Sequence, residues 1–99
     1  MIDKQKFQEI KEIMGDGFDD FIKLFLQELQ ADIDILQHTA DFDIIHLKAH
    51  SQKSSCLLMG AIELADIFLH IEQLAKDKKN VVKLIDKLPV LLKKISQIL

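Results

Sequence analysis

The chain has 99 residues, of which 48% are hydrophobic and 29% are charged, a composition typical of one soluble globular domain. Its formal net charge of -3 argues against nucleic acid as a partner, because a nucleic-acid-binding surface normally carries an excess of basic residues. With only 3 glycines and 1 proline, the sequence favours long helices and no sheet.

Three features of the sequence predict a cytoplasmic protein. Cys56 is the single cysteine, so no internal disulfide can form. The N-terminal stretch MIDKQKFQEI lacks the apolar core of a secretory signal. Charged residues interrupt every apolar run before it reaches the ~20 residues that cross a bilayer. We therefore expect one domain over residues 1–99, and any link to a membrane through a partner.

Helical periodicity divides the first part of the chain into two helices. Apolar residues recur at helical spacing over residues 3–14, and the GDG of residues 15–17 then breaks the pattern. A longer amphipathic helix follows and ends near His38. Its apolar stripe consists of Phe18, Phe21, Ile22, Phe25, Leu29, Ile33 and Leu36.

The third helix has clear start and stop signals. Asp41 is suited to cap it, because its carboxylate can accept hydrogen bonds from the amides that open a helix. The helix is predicted over about residues 42–59, and Gly60 is a plausible break. A fourth helix is expected over about residues 61–76.

The last segment is apolar at helical spacing from Val81 onward, but Pro89 lacks a backbone donor and crowds the preceding turn. The helix is therefore expected to kink or break near Leu88. Four long helices with short connections predict an all-α fold: an antiparallel up-down four-helix bundle with a short extra N-terminal helix.

One face of the third helix carries residues whose side chains could take part in a reaction or bind an anion. At about 100° of rotation per residue, His46, His50 and Lys53 fall together on this face, and the buried stripe points elsewhere. Asp43, Leu47, Ser54 and Leu57 share the face. His50 is thus predicted to face solvent, with Lys53 one turn later and close enough to share a bound anion.

The stretch AHSQKSSCLLMGA over residues 49–61 resembles the signature of histidine-containing phosphotransfer (HPt) domains. His50 matches the phosphoacceptor and Lys53 the lysine that follows it. Ser54 and Ser55 match the small positions, and Gly60 and Ala61 the closing pair. The segment LFLQEL of the second helix and IEQ, which includes Glu72, are also similar to the family. The resemblance covers roughly residues 17–75.

This resemblance implies a phosphorelay intermediate, which accepts a phosphoryl group on His50 from a receiver-domain phosphoaspartate and passes it to another receiver domain. A neutral imidazole suits this task, because one ring nitrogen is a free nucleophile near neutral pH. Lys53 would contact the phosphoryl oxygens, and Ser54 would be the small residue beside the group. The chain would need no cofactor or ATP-dependent kinase activity of its own, since the receiver supplies the aspartate and magnesium.

The implied partners are receiver domains of response regulators and of hybrid histidine kinases, with the chain itself a monomer. Leu47 and Leu57 are apolar residues on the His50 face, outside the buried stripe. Exposed apolar residues beside a functional group often mark a protein interface. Together with His46 they form a candidate docking patch.

Three positions depart from the family pattern. Ser54 replaces the usual glycine, but serine is still small. Gln52 and Lys48 replace residues that are usually apolar, on the inward side of the helix. A buried amide must find hydrogen-bond partners, and a lysine there would extend its ammonium outward along its stem.

Other interpretations of these residues remain open. His46 and His50 have a spacing that metal ligands use on helices, but no third ligand is evident, so no metal site is predicted. Cys56 points inward, as a core residue would. Two other functions share the fold: the phosphoacceptor domain of a chemotaxis-type histidine kinase, and an adaptor that docks receivers without being phosphorylated.

Overall fold

The computed structural model describes residues 2–99, and these residues are almost entirely helical. The helices are α1 (Lys4–Met14), α2 (Phe18–His38), α3 (Phe42–Met59), α4 (Ile62–Lys76), α5 (Val82–Ile85) and α6 (Leu88–Ile98). A 3₁₀ turn at Gly15–Gly17 separates the first two. Within residues 2–99 no strand forms, and one isolated bridge joins Ile2 to Ala61. The predicted all-α class is confirmed.

Local signals define both ends of α3, as the sequence predicts. The Asp41 carboxylate accepts from the backbone amides of Asp43 and Ile44 at 2.9 and 3.4 Å. At the other end, Gly60 adopts a left-handed conformation with φ 79°, which a glycine tolerates because it has no Cβ. This conformation ends the helix. The bounds of α3 match the expected residues 42–59.

The predicted break in the last segment lies at Asp86 and Lys87, between α5 and α6. Pro89 occupies the first turn of α6. In that position the missing N–H costs nothing, because the first amides of a helix have no partner within the helix. The proline therefore starts the final helix, and the break falls just before it.

Four helices surround the hydrophobic core and form a four-helix bundle. Helix α3 packs against α4 and α2, and α6 completes the arrangement by packing against α2 and α4. The largest fully buried side chains include Leu29, Ile33, Leu36, Met59, Leu64, Phe68, Ile71, Leu88 and Ile95. Because α3 lies between α2 and α4, its two flanks touch different helices and its remaining face is open to solvent.

Helix α1 lies against the bundle at the turn between α3 and α4. It has no fully buried residue, but Phe7 packs edge-on against Phe18 with ring centroids 5.2 Å apart. The Asp3 amide donates to the Gly60 carbonyl at 2.7 Å. The start of α1 is thus attached to the turn that joins α3 and α4.

The inward positions expected of Gln52 and Cys56 are confirmed. Gln52 is 3% exposed, and its Nε2 donates to Asp32 of α2 at 2.8 Å, while its Oε1 has no partner. Lys48 reaches the same carboxylate at 3.4 Å and keeps a third of its side chain exposed, as expected for an outward-extending ammonium. Burial raises the pKa of the Cys56 thiol to about 12, so this cysteine is not a thiolate at neutral pH.

Among residues 2–99, no helix is both long enough and apolar enough to cross a membrane.

Alanine at Gly60 is expected to lower the free energy of unfolding by about 2–3 kcal/mol. The left-handed backbone disfavours a Cβ, and a Cβ there would lie 2.8 Å from the Asp3 carbonyl oxygen. Gly15→Ala would meet no neighbouring atom, but its φ of 55° and ψ of -127° lie outside the left-handed helical region, so backbone strain alone should cost about 1–3 kcal/mol. Gly17→Ala has φ -81° and open surroundings, and should cost nothing. Urea unfolding followed by circular dichroism measures all three, and a loss at Gly60 of less than about 1 kcal/mol would contradict the strain assigned to this turn.

Candidate functional site

His50 lies in the middle of α3, on the face that the packing of this helix leaves open. Its side chain is 57% exposed, because the buried positions Ala49, Gln52 and Cys56 turn the opposite side of the helix toward the core. Leu47 is 63% exposed and Leu57 42% exposed. The structure therefore brings the predicted solvent-facing residues of α3 onto one surface.

Glu72 of α4 joins His50 and Lys53 across the α3–α4 interface. Its Oε1 lies 2.5 Å from His50 Nδ1, and its Oε2 accepts from Lys53 Nζ at 2.7 Å. The Glu72 side chain is only 13% exposed, and that of Lys53 is 21% exposed. The Glu72 carboxylate thus holds both residues in place, with one of its oxygens bonded to His50 and the other to Lys53.

This contact determines which nitrogen of His50 is free. An ionised carboxylate only accepts hydrogen bonds, so the proton of a neutral His50 ring must sit on Nδ1 to donate to Glu72. Nε2 then carries the lone pair. Since Nδ1 points at Glu72 and the side chain is more than half exposed, Nε2 is the ring nitrogen available to an outside electrophile.

The charge state of Glu72 follows from its surroundings. Burial raises the pKa of its carboxyl, but the hydrogen bonds and positive charge of Lys53 and His50 outweigh burial and leave the pKa below its usual value. Glu72 is therefore ionised at neutral pH. The stabilisation that comes from these bonds is present above the ordinary carboxyl pKa and is lost as the pH falls through the lowered value.

His46 lies beside the same carboxylate, one turn before His50. Its Nε2 is 3.9 Å from Glu72 Oε1. The rings of His46 and His50 are almost parallel, with an interplanar angle of 7° and centroids 6.4 Å apart. The structure thus places His46 at the carboxylate as well as next to exposed Leu47.

Ser54 follows His50 by one turn of α3. Its hydroxyl donates to the His50 backbone carbonyl at 3.3 Å, so the side chain folds back along its own helix. Such a bond satisfies the hydroxyl locally. The surface above His50 on this side therefore carries only a short side chain.

The pairing of Glu72 with His50 is the feature that sequence periodicity did not identify. Glu72 lies 22 residues after His50, on a different helix, and helical spacing cannot specify which residues of two helices meet. One signal was available, since Glu72 directly follows the buried Ile71 of the α4 stripe. A polar residue at the edge of an apolar stripe often faces the neighbouring helix.

The candidate site around His50 is an exposed surface and is not enclosed in a pocket. The largest groove lies at the end of the bundle where α2, α3 and α5 approach one another, lined by Leu36, Phe42, Val81 and Ile85 among others, and His50 is not part of it. Within the described chain, no group of three or more histidine, cysteine or acidic side chains is arranged to hold a metal ion. The candidate site is thus the exposed face of α3 around His50.

Comparison with protein-family models, with curated proteins and with solved structures finds no match for this chain.

Changing Glu72 to glutamine should release the ring of His50 from its single tautomer. A glutamine amide can either donate or accept, so it does not require the proton on Nδ1. Long-range ¹H–¹⁵N spectra at a pH where the ring is neutral should show mainly Nδ1–H in the wild type and a mixture of tautomers in Glu72→Gln. Glu63→Gln changes an exposed residue of the same helix and serves as the matched control. Identical His50 tautomers in all three proteins would show that Glu72 does not determine the proton position.

Proposed function

We propose that this chain is a histidine phosphotransfer domain, which accepts a phosphoryl group on His50 from the phosphoaspartate of a receiver domain and passes it to another receiver. The observation that carries the proposal is the geometry of His50. Its Nδ1 is held by the half-buried carboxylate of Glu72 and its ring is exposed beside Lys53. The resemblance of residues 49–61 to the HPt signature supports the same assignment.

The geometry accounts for both halves of the transfer step. The lone pair of His50 Nε2 attacks phosphorus, an N–P bond forms, and the bond from phosphorus to the aspartate oxygen breaks, which returns a carboxylate to the receiver. The phosphorylated ring becomes cationic, because Nε2 has given its lone pair to phosphorus while Nδ1 keeps its proton. The Glu72 carboxylate beside Nδ1 stabilises that positive charge. Attack by another receiver's aspartate on the phosphohistidine reverses these changes.

Lys53 provides the positive charge for the phosphoryl oxygens in this proposal. Its ammonium is bound to Glu72 Oε2, next to the ring that would carry the group. A lysine stem is flexible enough to turn from a carboxylate to a nearby phosphoryl group, and the charge-assisted bond is of similar strength in both places. The short side chain of Ser54 would leave room for the oxygens.

The proposal includes the antiparallel up-down order of the bundle helices. Connections of only a few residues support this order, since α2 and α3 are separated by residues 39–41 and α3 and α4 by residues 60–61. Short connections favour antiparallel neighbours. In that order the middle of α3, which carries His50, lies beside the part of α4 that carries Glu72.

Receiver domains of response regulators and hybrid histidine kinases are the proposed partners, met in the cytoplasm by a monomeric chain. Leu47 and Leu57 flank His50 on α3 and are 63% and 42% exposed. A few central apolar residues carry most of the energy of small transient interfaces. The receiver would bring its own aspartate and Mg²⁺, and the residues described above supply the nucleophile and its supporting charges.

His50→Gln should abolish phosphorylation of the chain by a phosphorylated receiver, because glutamine has no nucleophilic ring nitrogen. The measurement is an acid-labile, base-stable label on this chain after incubation with phosphorylated receiver and Mg²⁺. Helical content should be unchanged, since an exposed residue contributes little to the core. His70→Gln removes another exposed histidine, 53% exposed on α4, and should be labelled like the wild type.

The other outcomes of this experiment separate the alternatives. Label that persists in His50→Gln would remove His50 from the mechanism. Label obtained only with a kinase domain and ATP would assign the chain as the phosphoacceptor domain of a chemotaxis-type kinase. Receiver binding without any label would make the chain an adaptor.

A further inference from the structure

We propose that His46 is a positioning residue for His50: when protonated, His46 draws Glu72 Oε1 away from His50 Nδ1 and thereby lowers the reactivity of His50 Nε2. The inference rests on the proposed function for its biological meaning, since it would make phosphoryl transfer sensitive to pH. The competition itself concerns three side chains and can be measured without a partner protein.

Three basic side chains, those of His46, His50 and Lys53, lie around the two carboxylate oxygens of Glu72. Lys53 occupies Oε2 at 2.7 Å, and His50 Nδ1 occupies Oε1. His46 Nε2 is 3.9 Å from this same Oε1, which is beyond hydrogen-bond distance. Closing that gap to the ~2.8 Å of a charge-assisted bond requires the carboxylate or the rings to move by about 1 Å. The Glu72 side chain is 13% exposed, so it has little freedom to satisfy both rings fully.

The charge on His46 decides whether this movement is favourable. A neutral imidazole gains little from a carboxylate at 3.9 Å, whereas an imidazolium gains a charge-assisted hydrogen bond. The pKa of free imidazole is about 6.5, so the pH values used in the test below lie on either side of it.

Glu72 is the acidic residue that His46 faces among the described residues. On α3 itself, Asp43 lies one turn before His46, and His50 and Lys53 follow it. On α4, Glu72 is the acidic group within 4.0 Å of the ring. On α2, Asp32 is engaged by Lys48 and Gln52. Within residues 2–99, no charged group of α1 makes an ion pair with His46. Protonation of His46 therefore acts mainly on its interaction with the Glu72 carboxylate.

The consequence for His50 follows from how a hydrogen-bonded carboxylate acts on an imidazole. A carboxylate that accepts from one ring nitrogen fixes the tautomer and makes the other nitrogen more basic. If Oε1 is shared with a protonated His46, its pull on the His50 Nδ1 proton weakens. The neutral fraction of His50 then reacts more slowly, in addition to the ordinary loss of reactivity when His50 itself is protonated.

The test measures the reactivity of His50 toward diethyl pyrocarbonate, a neutral electrophile that modifies unprotonated imidazoles, with each histidine resolved by peptide mass spectrometry. Wild type and His46→Gln should react alike near about pH 8, which lies well above the pKa of free imidazole. Near about pH 6, the rate for His50, divided by its neutral fraction as measured by NMR titration, should be roughly threefold lower in the wild type than in His46→Gln, because one supporting bond is shared. His70→Gln is the control and should follow the wild type at both pH values.

A permanent charge at position 46 provides an independent check. His46→Lys should slow the modification of His50 even near about pH 8, which lies well above the pKa of free imidazole. Circular dichroism should show that both variants retain the wild-type helical content.

Two results would overturn the inference. A wild-type to His46→Gln ratio that is the same at both pH values would show that His46 does not act on His50. A ratio that rises on acidification would show that a protonated His46 makes neutral His50 more reactive, which is the opposite of the proposed effect. Neither result depends on phosphoryl transfer, so failure of the proposed function would appear separately, as absence of label from a phosphorylated receiver.

Discussion

The contact of Glu72 with His50 and Lys53 is the interaction on which the function proposed for this chain depends. Because of this contact, the exposed His50 has a defined tautomer and a free Nε2, and the ammonium of Lys53 lies on the same carboxylate. A carboxylate that supports a histidine must be ionised and well placed. Both conditions follow from its position, largely buried between α3 and α4 and bonded to two basic residues.

The bundle maintains this contact by fixing the rotation of α3 from both sides. On the α2 flank, Asp32 accepts from the buried Gln52 and pairs with Lys48. On the α4 flank, Glu72 pairs with His50 and Lys53. Polar contacts that are buried or half-buried are sensitive to geometry, because a displaced partner leaves an unsatisfied group. Two such contacts on opposite flanks therefore hold the remaining face of α3, with its exposed leucines, toward solvent.

The sequence predicted those parts of the structure that depend on local signals. Asp41 and Gly60 define α3 because capping and left-handed glycine act within a few residues, and the buried stripe follows from helical periodicity. Pro89 correctly indicated that the last segment is interrupted. The interruption lies just before the proline, which belongs to the first turn of α6. The partners of His50 and Gln52 could not be predicted, because Glu72 and Asp32 lie about 20 residues away on other helices and periodicity does not specify the relative placement of helices.

The most direct test of the proposed function is to identify the atom that carries the phosphoryl group after labelling. Phosphoramidate or a phosphorylated receiver would be used to label the chain, and ³¹P and ¹⁵N spectra would assign the N–P bond within the His50 ring. Because Glu72 holds Nδ1 and its proton, we expect phosphorylation at Nε2, as the proposed function requires. Phosphorylation at Nδ1, or on a residue other than His50, would contradict it.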